Sequence, residues 1–156
     1  MKYVCALVVV KDIKRSRFFY EEILGQKVSV DAGENVSYKG GFAIQQKDHF
    51  RSLINSLPVK EAANNFELYF EDDDLEILLQ KLKSNDIEFI HEVREQPWKQ
   101  RVVRFYDYDH NSIEIGESME YVAYRLSLEN YSIEDICRIT YIPEHIVKNA
   151  IAKYSG

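Results

Sequence analysis

One order of segments is written twice in this chain, and that repetition limits the folds open to it more than composition does. Residues 3–10, YVCALVVV, form a β-branched apolar run stopped at once by Lys11 and Asp12, too short for a signal-peptide core, and they read as a buried strand. KDIKRSRFFYEEILG follows as a helix. Asp12 is its N-cap, Ile13, Phe18 or Phe19, Ile23 and Leu24 lie at helical spacing, and Gly25 stands at the C′ position. Three short strands come next, QKVSVD, NVSYKG and GFAIQQ, with Gly40-Gly41 as a tight-hairpin signal. The second pass starts at FELYFE and continues through DDLEILLQKLKSND, an amphipathic helix with Leu75, Leu78, Leu79 and Leu82 on one stripe. It closes with IEFIHEV, RVVRFYD and NSIEIG. The register agrees between passes: Cys5 lies seven residues before Asp12, and Glu67 seven before Asp74. The expectation is an α+β fold. Two βαβββ units, about residues 3–46 and 66–116, form curved mixed sheets around a concave pocket.

Between the units, KDHFRSLINSLPVKEAANN carries Pro58 and reads as a connector with one helical turn. Beyond the second unit the pattern changes. SMEYVAYRLSLEN is helix-compatible, and SIEDICRITYIPEHIVKNAIAKY holds a capping box from Ser132 to Asp135 with Pro143 at a helix start. The domain expectation is a sheet domain over 1–117 and a C-terminal helical extension over 118–156. From residue 117 onward, four basic residues (Arg125, Arg138, Lys148, Lys153) face six acidic ones, so the helix-turn-helix pattern lacks the basic footprint that a DNA groove requires. Its apolar residues Ile136, Ile139, Ile142, Ile146, Val147 and Ile151 suit a mini-core, or docking on the sheet domain or a second subunit. The whole chain carries a net charge of −6 and a pI near 5.3, which argues against general affinity for nucleic acid or anionic membranes. No segment is long enough to span a bilayer. Cys5 and Cys137 stand far apart and outside any CxxC pair, which predicts a reducing, cytoplasmic setting rather than a disulfide framework.

Strand alternation selects the candidate site residues. It sets Glu67, Tyr69 and Glu71 on one face with Leu68 and Phe70 on the other, and it sends Glu114 away from Ile113 and Ile115. Both carboxylates therefore lean toward the side that no helix covers. Tyr38, Phe42, Tyr69, Trp98, Phe105 and Tyr106 lie on or beside strands and supply candidate pocket walls. Trp98 follows Pro97 in the polar hairpin REQPWKQR, where packing gives little reason for an indole, so it predicts a pocket lip or a subunit contact. His49, His91, His110 and His145 are scattered without metal-ligand spacing, and no nucleophile–base arrangement stands out, so no catalytic residue is assigned.

Three stretches in this order resemble one family. ALVVVKDIKRSRFFYEEILG, NNFELYFEDDDLEILLQKL and EQPWKQRVVRFYDYDHNSIEIGE are similar to the unit starts and final hairpin of the vicinal oxygen chelate superfamily. That superfamily holds glyoxalase I, extradiol dioxygenases, fosfomycin-resistance enzymes and bleomycin-binding proteins. The resemblance covers about residues 3–117. The departures are Tyr108 in place of the usual proline, His110 in place of glycine, and Lys99 where glycine is frequent. The resemblance implies a metal site drawing on the first and last strand of each unit, which fall here on Cys5, Gln45, Glu67 and Glu114. Metal-dependent relatives carry histidine at the first-strand positions; both histidines are missing here. Zinc, nickel and ferrous iron favour imidazole, and one thiol, one amide and two carboxylates suit none of them. The resemblance therefore implies a glyoxalase/bleomycin-resistance-like protein, metal-independent and without cofactor, pairing as a homodimer. It would bind a small organic molecule through Cys5, Gln45, Glu67, Tyr69, Trp98, Phe105 and Glu114. Two rivals stand beside it. One is a metal-dependent lyase, isomerase or dioxygenase holding a divalent ion on Glu67, Glu114 and Gln45; the other is a ligand-sensing regulator with a helix-turn-helix-like tail.

Overall fold

A computed structural model describes residues 1–156 and divides them into two compact units, Met1–Glu67 with Tyr106–Ser112, and Leu68–Phe105 with Ile113–Gly156. In the first unit, β1 (Ala6–Val10), β2 (Val28–Asp31), β3 (Asn35–Tyr38) and β4 (Phe42–Gln46) form a sheet ordered β1-β4-β3-β2, with β1 parallel to β4. Helix α1 (Ile13–Arg17) starts where Asp12 caps it, the carboxylate accepting the Arg15 N–H at 3.1 Å. It then widens into a π-helix over Phe18–Ile23, where the Leu24 N–H reaches back five residues to the Phe19 carbonyl at 3.0 Å. That change of pitch turns Phe19, Tyr20 and Ile23 inward and leaves Phe18 half exposed, which settles the Phe18-or-Phe19 alternative in favour of Phe19. Tyr20 packs against Tyr38 and Phe42, whose rings stack 4.7 Å apart. Gly25, at φ +65°, ends the helix as its C′ position demands.

Two local expectations need correction. β1 begins at Ala6, so Cys5 lies one residue ahead of the strand on which it was placed. The connector also holds more helix than one turn, since α2 runs over Lys47–Leu53 with the Gln46 side chain accepting the His49 N–H.

The turn after residue 106 belongs to the first unit, and one carboxylate organises it. Asp107 Oδ1 accepts the N–H groups of Asp109 (2.9 Å) and Asn111 (2.8 Å), while Oδ2 accepts the Asn111 amide and the Tyr20 hydroxyl, each at 2.9 Å. His110 sits in that turn at φ +61°, the conformation a glycine adopts without strain.

In the second unit, β5 (Glu67–Glu71), β6 (Phe89–Glu95), β7 (Arg101–Tyr106) and β8 (Ser112–Gly116) form a sheet ordered β5-β8-β7-β6. The α+β repeat is thus two separate four-stranded mixed sheets with helices, and neither sheet closes into a barrel. Asp74 caps α3 (Leu75–Ser84), which buries Leu75, Leu78 and Leu82. The extension forms α4 (Met119–Leu128), α5 (Ile133–Thr140) and α6 (Glu144–Ser155), with the Ser132 hydroxyl accepting the Asp135 N–H as the capping-box pattern predicts. These helices share a core of Val122, Ala123, Leu126, Ile136, Val147 and Ala150, with Ile142 and Ile151 packed against it. No helix is long and apolar enough to cross a membrane.

Glu117 ties the extension to the second sheet. Its side chain is fully buried. Oε1 accepts Arg101 Nε at 2.7 Å, and Oε2 accepts the Arg101 backbone N–H at 3.0 Å and Arg125 Nη2 at 3.1 Å. A second tie lies at Asp73, which accepts the Ser118 N–H at 2.9 Å and the Tyr154 hydroxyl at 2.5 Å.

Glu117→Ala leaves two guanidinium groups without their shared anion, and it should lower unfolding free energy by about 3 kcal/mol in a denaturant titration. A loss below about 1 kcal/mol would show that the tie contributes little. At the turn, His110→Val should cost about 1–2 kcal/mol because a β-branched residue resists positive φ, while His110→Gly should cost nothing. Equal melting temperatures for the two variants would contradict the strain argument.

Candidate functional site

The β6–β7 hairpin sets the first part of the site. Its loop closes through the Gln96 N–H to the Gln100 carbonyl and the Lys99 N–H to the Gln96 carbonyl, both at 2.8 Å, with Lys99 at φ +69°. This geometry lifts Trp98 to the surface, 38% exposed, with its indole N–H donating to Gln100 Oε1 at 2.9 Å. The Gln100 amide is buried. Its nitrogen donates to the Tyr69 hydroxyl at 2.8 Å and to the Glu117 carbonyl at 2.7 Å, so the amide can point only one way. Tyr69, 47% exposed, donates its own hydroxyl hydrogen bond to Glu71 Oε1 at 3.2 Å. Partial burial pushes the Tyr69 hydroxyl up from its ordinary pKa, the Gln100 hydrogen bond acting in the opposite sense. Gly116 makes room for this arrangement, since a Cβ there would stand 2.8 Å from the Gln100 amide nitrogen and 3.1 Å from Val102. Two half-exposed rings are thus held by one buried amide.

The second part is ionic. Glu114 is largely buried, and its carboxylate is in direct ion-pair contact with Arg104. Oε2 accepts no hydrogen bond of good geometry, so charge contact with the guanidinium, rather than a directed N–H, offsets its loss of water. Arg104 Nη1 also lies 3.3 Å from His91 Nε2, and His91 Nδ1 lies 2.7 Å from the Glu92 carbonyl. A carbonyl can only accept, which puts the imidazole proton on Nδ1 and leaves Nε2 as the acceptor for Arg104.

The expected site residues separate into groups. Glu67, exposed at the start of β5, shares its strand face with Tyr69 and Glu71, as alternation required. Trp98 and Tyr69 come together through Gln100. Phe105 does not join them: it is fully buried on the face of β7 opposite Arg104, packed edge-on against Phe89, and is a core residue rather than a pocket wall. Tyr38 and Phe42 are likewise core. In the first unit, Gln45 is buried with its amide accepting Asn35 Nδ2 at 2.8 Å, donating to the Glu34 carbonyl at 2.9 Å, and meeting His49 Nδ1 at 2.8 Å.

These commitments bear on the metal the resemblance implies. Within each unit, no three His, Cys, Asp or Glu side chains stand together as ligands. Glu114 is matched by Arg104, Gln45 is spent on three neighbours, and Cys5 brings a soft thiol to a set of hard oxygen donors. The residues as placed do not fit a resident divalent ion.

Sequence reasoning missed Arg104, Gln100 and His91. Arg104 carried the same signal as Glu114, a charge inside an apolar strand, and the two charges answer each other. Gln100 carried no signal of its own.

Residues 3–120 match the family pattern described as a Glyoxalase-like domain. No curated protein sequence matches the chain. Among solved structures, a protein of unknown function from Agrobacterium tumefaciens is 39% identical, with a TM-score of 0.69, over 76% of this chain and 94% of that one. Lactoylglutathione lyase from the same organism (19% identity, TM-score 0.57, 75% and 93% covered) shares the fold. So does the fosfomycin resistance protein FosX from Listeria monocytogenes (17%, 0.57, 76% and 93%). The family pattern ends at residue 120, and over the repeated units the chain belongs to the glyoxalase-like domain family and shares its fold with a solved glyoxalase/bleomycin resistance protein/dioxygenase from Nocardioides (18% identity, TM-score 0.60, 75% and 83% covered).

Proposed function

We propose that the chain binds a small organic molecule with a flat unsaturated part, using Trp98 and Tyr69, and that it does so without a metal ion. The observation that carries this reading is the Trp98–Gln100–Tyr69 linkage. Exposed aromatic rings are costly to leave in water, and these two are fixed by hydrogen bonds rather than folded away. Rings already immobile lose little entropy when a ligand stacks on them. Glu71, exposed on the Tyr69 face and accepting the Tyr69 hydroxyl, favours a neutral or cationic ligand over an anionic one. Metal independence is supported by Arg104, which meets the charge of Glu114 that a divalent ion would otherwise meet.

Trp98 is the only tryptophan, so intrinsic fluorescence reports on this site alone. Titration with a panel of neutral and cationic aromatic compounds should quench or shift its emission. Tyr69→Ala should weaken the best compound about tenfold or more, equivalent to roughly 1.4 kcal/mol. A panel that leaves the emission unchanged, or a Tyr69→Ala variant that binds equally well, would remove the proposal. Elemental analysis of untagged protein separates the metal-dependent lyase or dioxygenase reading. The expected result is a substoichiometric divalent content that rises in Arg104→Ala, where Glu114 loses its cation. A stoichiometric ion in the unaltered chain, lost in Glu114→Gln, would reverse the assignment.

A further inference from the structure

β1 is an edge strand of the first sheet, and the connector segment 59–66 lines, together with it, a cavity of about 180 Å³. Part of its lining is apolar: Leu7 and Phe66, 42% and 41% exposed, with Val9. Part is ionic: Glu61 Oε2 meets Lys11 Nζ at 2.7 Å, and Oε1 meets Lys47 Nζ. A single carboxylate is shared by two ammonium groups, whose hydrogen bonds hold its pKa below the ordinary carboxylate value. Three lysines (Lys11, Lys47, Lys60) line the cavity against two carboxylates, a local positive balance in a chain of net charge −6. The second carboxylate, Asp109, already accepts the Lys11 backbone N–H at 3.2 Å, and burial raises its pKa.

We infer that this cavity binds a small monocarboxylate bearing a compact apolar group, and that Glu61 holds the carboxylate position in its absence. Ion pairs as exposed as these are weak, so an incoming carboxylate can take over both lysines with little loss. The apolar group of the ligand would then cover Leu7 and Phe66, a gain that Glu61 cannot supply. A cavity of about 150 Å³ accommodates benzene, so benzoate is of suitable size. This site is separate from the one containing Trp98 and does not depend on the function proposed there.

The test is titration of benzoate, followed by amide chemical shifts of the full chain. Benzoate should shift resonances of residues 7–11 and 59–66. Glu61→Gln should bind it about fivefold tighter or more because the internal competitor is gone, and Lys47→Ala about fivefold weaker or more. Benzyl alcohol, with the same ring and no charge, should bind far more weakly, as should inorganic phosphate, which lacks the apolar group. Four results would each overturn the inference: benzoate no tighter in Glu61→Gln, benzyl alcohol equal to benzoate, phosphate equal to benzoate, or shifts confined to the Trp98 hairpin. Should Glu61→Gln fail to fold, unaltered benzoate affinity in folded Lys47→Ala overturns it equally.

Discussion

Burying the Glu117 carboxylate constrains the second unit more than any other single interaction. An anion removed from water must be surrounded by donors, or it raises the energy of the folded state by several kcal/mol. The donors come from two places, the first residue of β7 and the middle of α4. Arg125 then reaches past Glu117 to the Lys99 carbonyl, and the Glu117 carbonyl itself receives the Gln100 amide. Residues 99, 100 and 101 are therefore all held by Glu117 and its partner arginine. The helical extension and the Trp98 hairpin form one hydrogen-bonded piece, which gives the extension a structural reason to exist on a family domain whose pattern stops at residue 120.

The same electrostatic logic operates at Glu114 with a different result. There the Arg104 guanidinium meets the carboxylate by contact, without good hydrogen-bond geometry at Oε2. Chemically, Arg104 does at Glu114 what a divalent ion would do. The neighbouring strand thus supplies the charge that lets a glutamate stand largely buried in β8. Strand alternation explains why Phe105 is core while its neighbour Arg104 is not. Arg104 and Phe105 are adjacent in sequence and so point to opposite faces, and a stripe of aromatic residues along a chain does not say which face each occupies.

Turns show how local chemistry can be overridden. Lys99 and His110 occupy backbone conformations suited to glycine, at φ +69° and +61°. In the 106–112 turn, Asp107 makes four hydrogen bonds, and these hold the backbone in place of glycine's freedom. Both positions thus hold a glycine-like backbone conformation with a larger side chain.

The amino-acid sequence by itself determined the elements that rest on near neighbours. Asp12, Asp74 and Ser132 cap helices by accepting an N–H three residues on, Gly25 ends one, and the two- and four-residue apolar periods mark strands and helices. The duplicated order of those elements was enough to specify two βαβββ units. The pairings that make a site were decided only by the tertiary structure. Tyr20 with Asp107, Lys11 with Glu61, Glu117 with Arg101, and Tyr69 with Gln100 are 87, 50, 16 and 31 residues apart. A charged or polar residue in a sequence states that it needs a partner; which partner it finds depends on distances that exist only once the sheets and helices have packed.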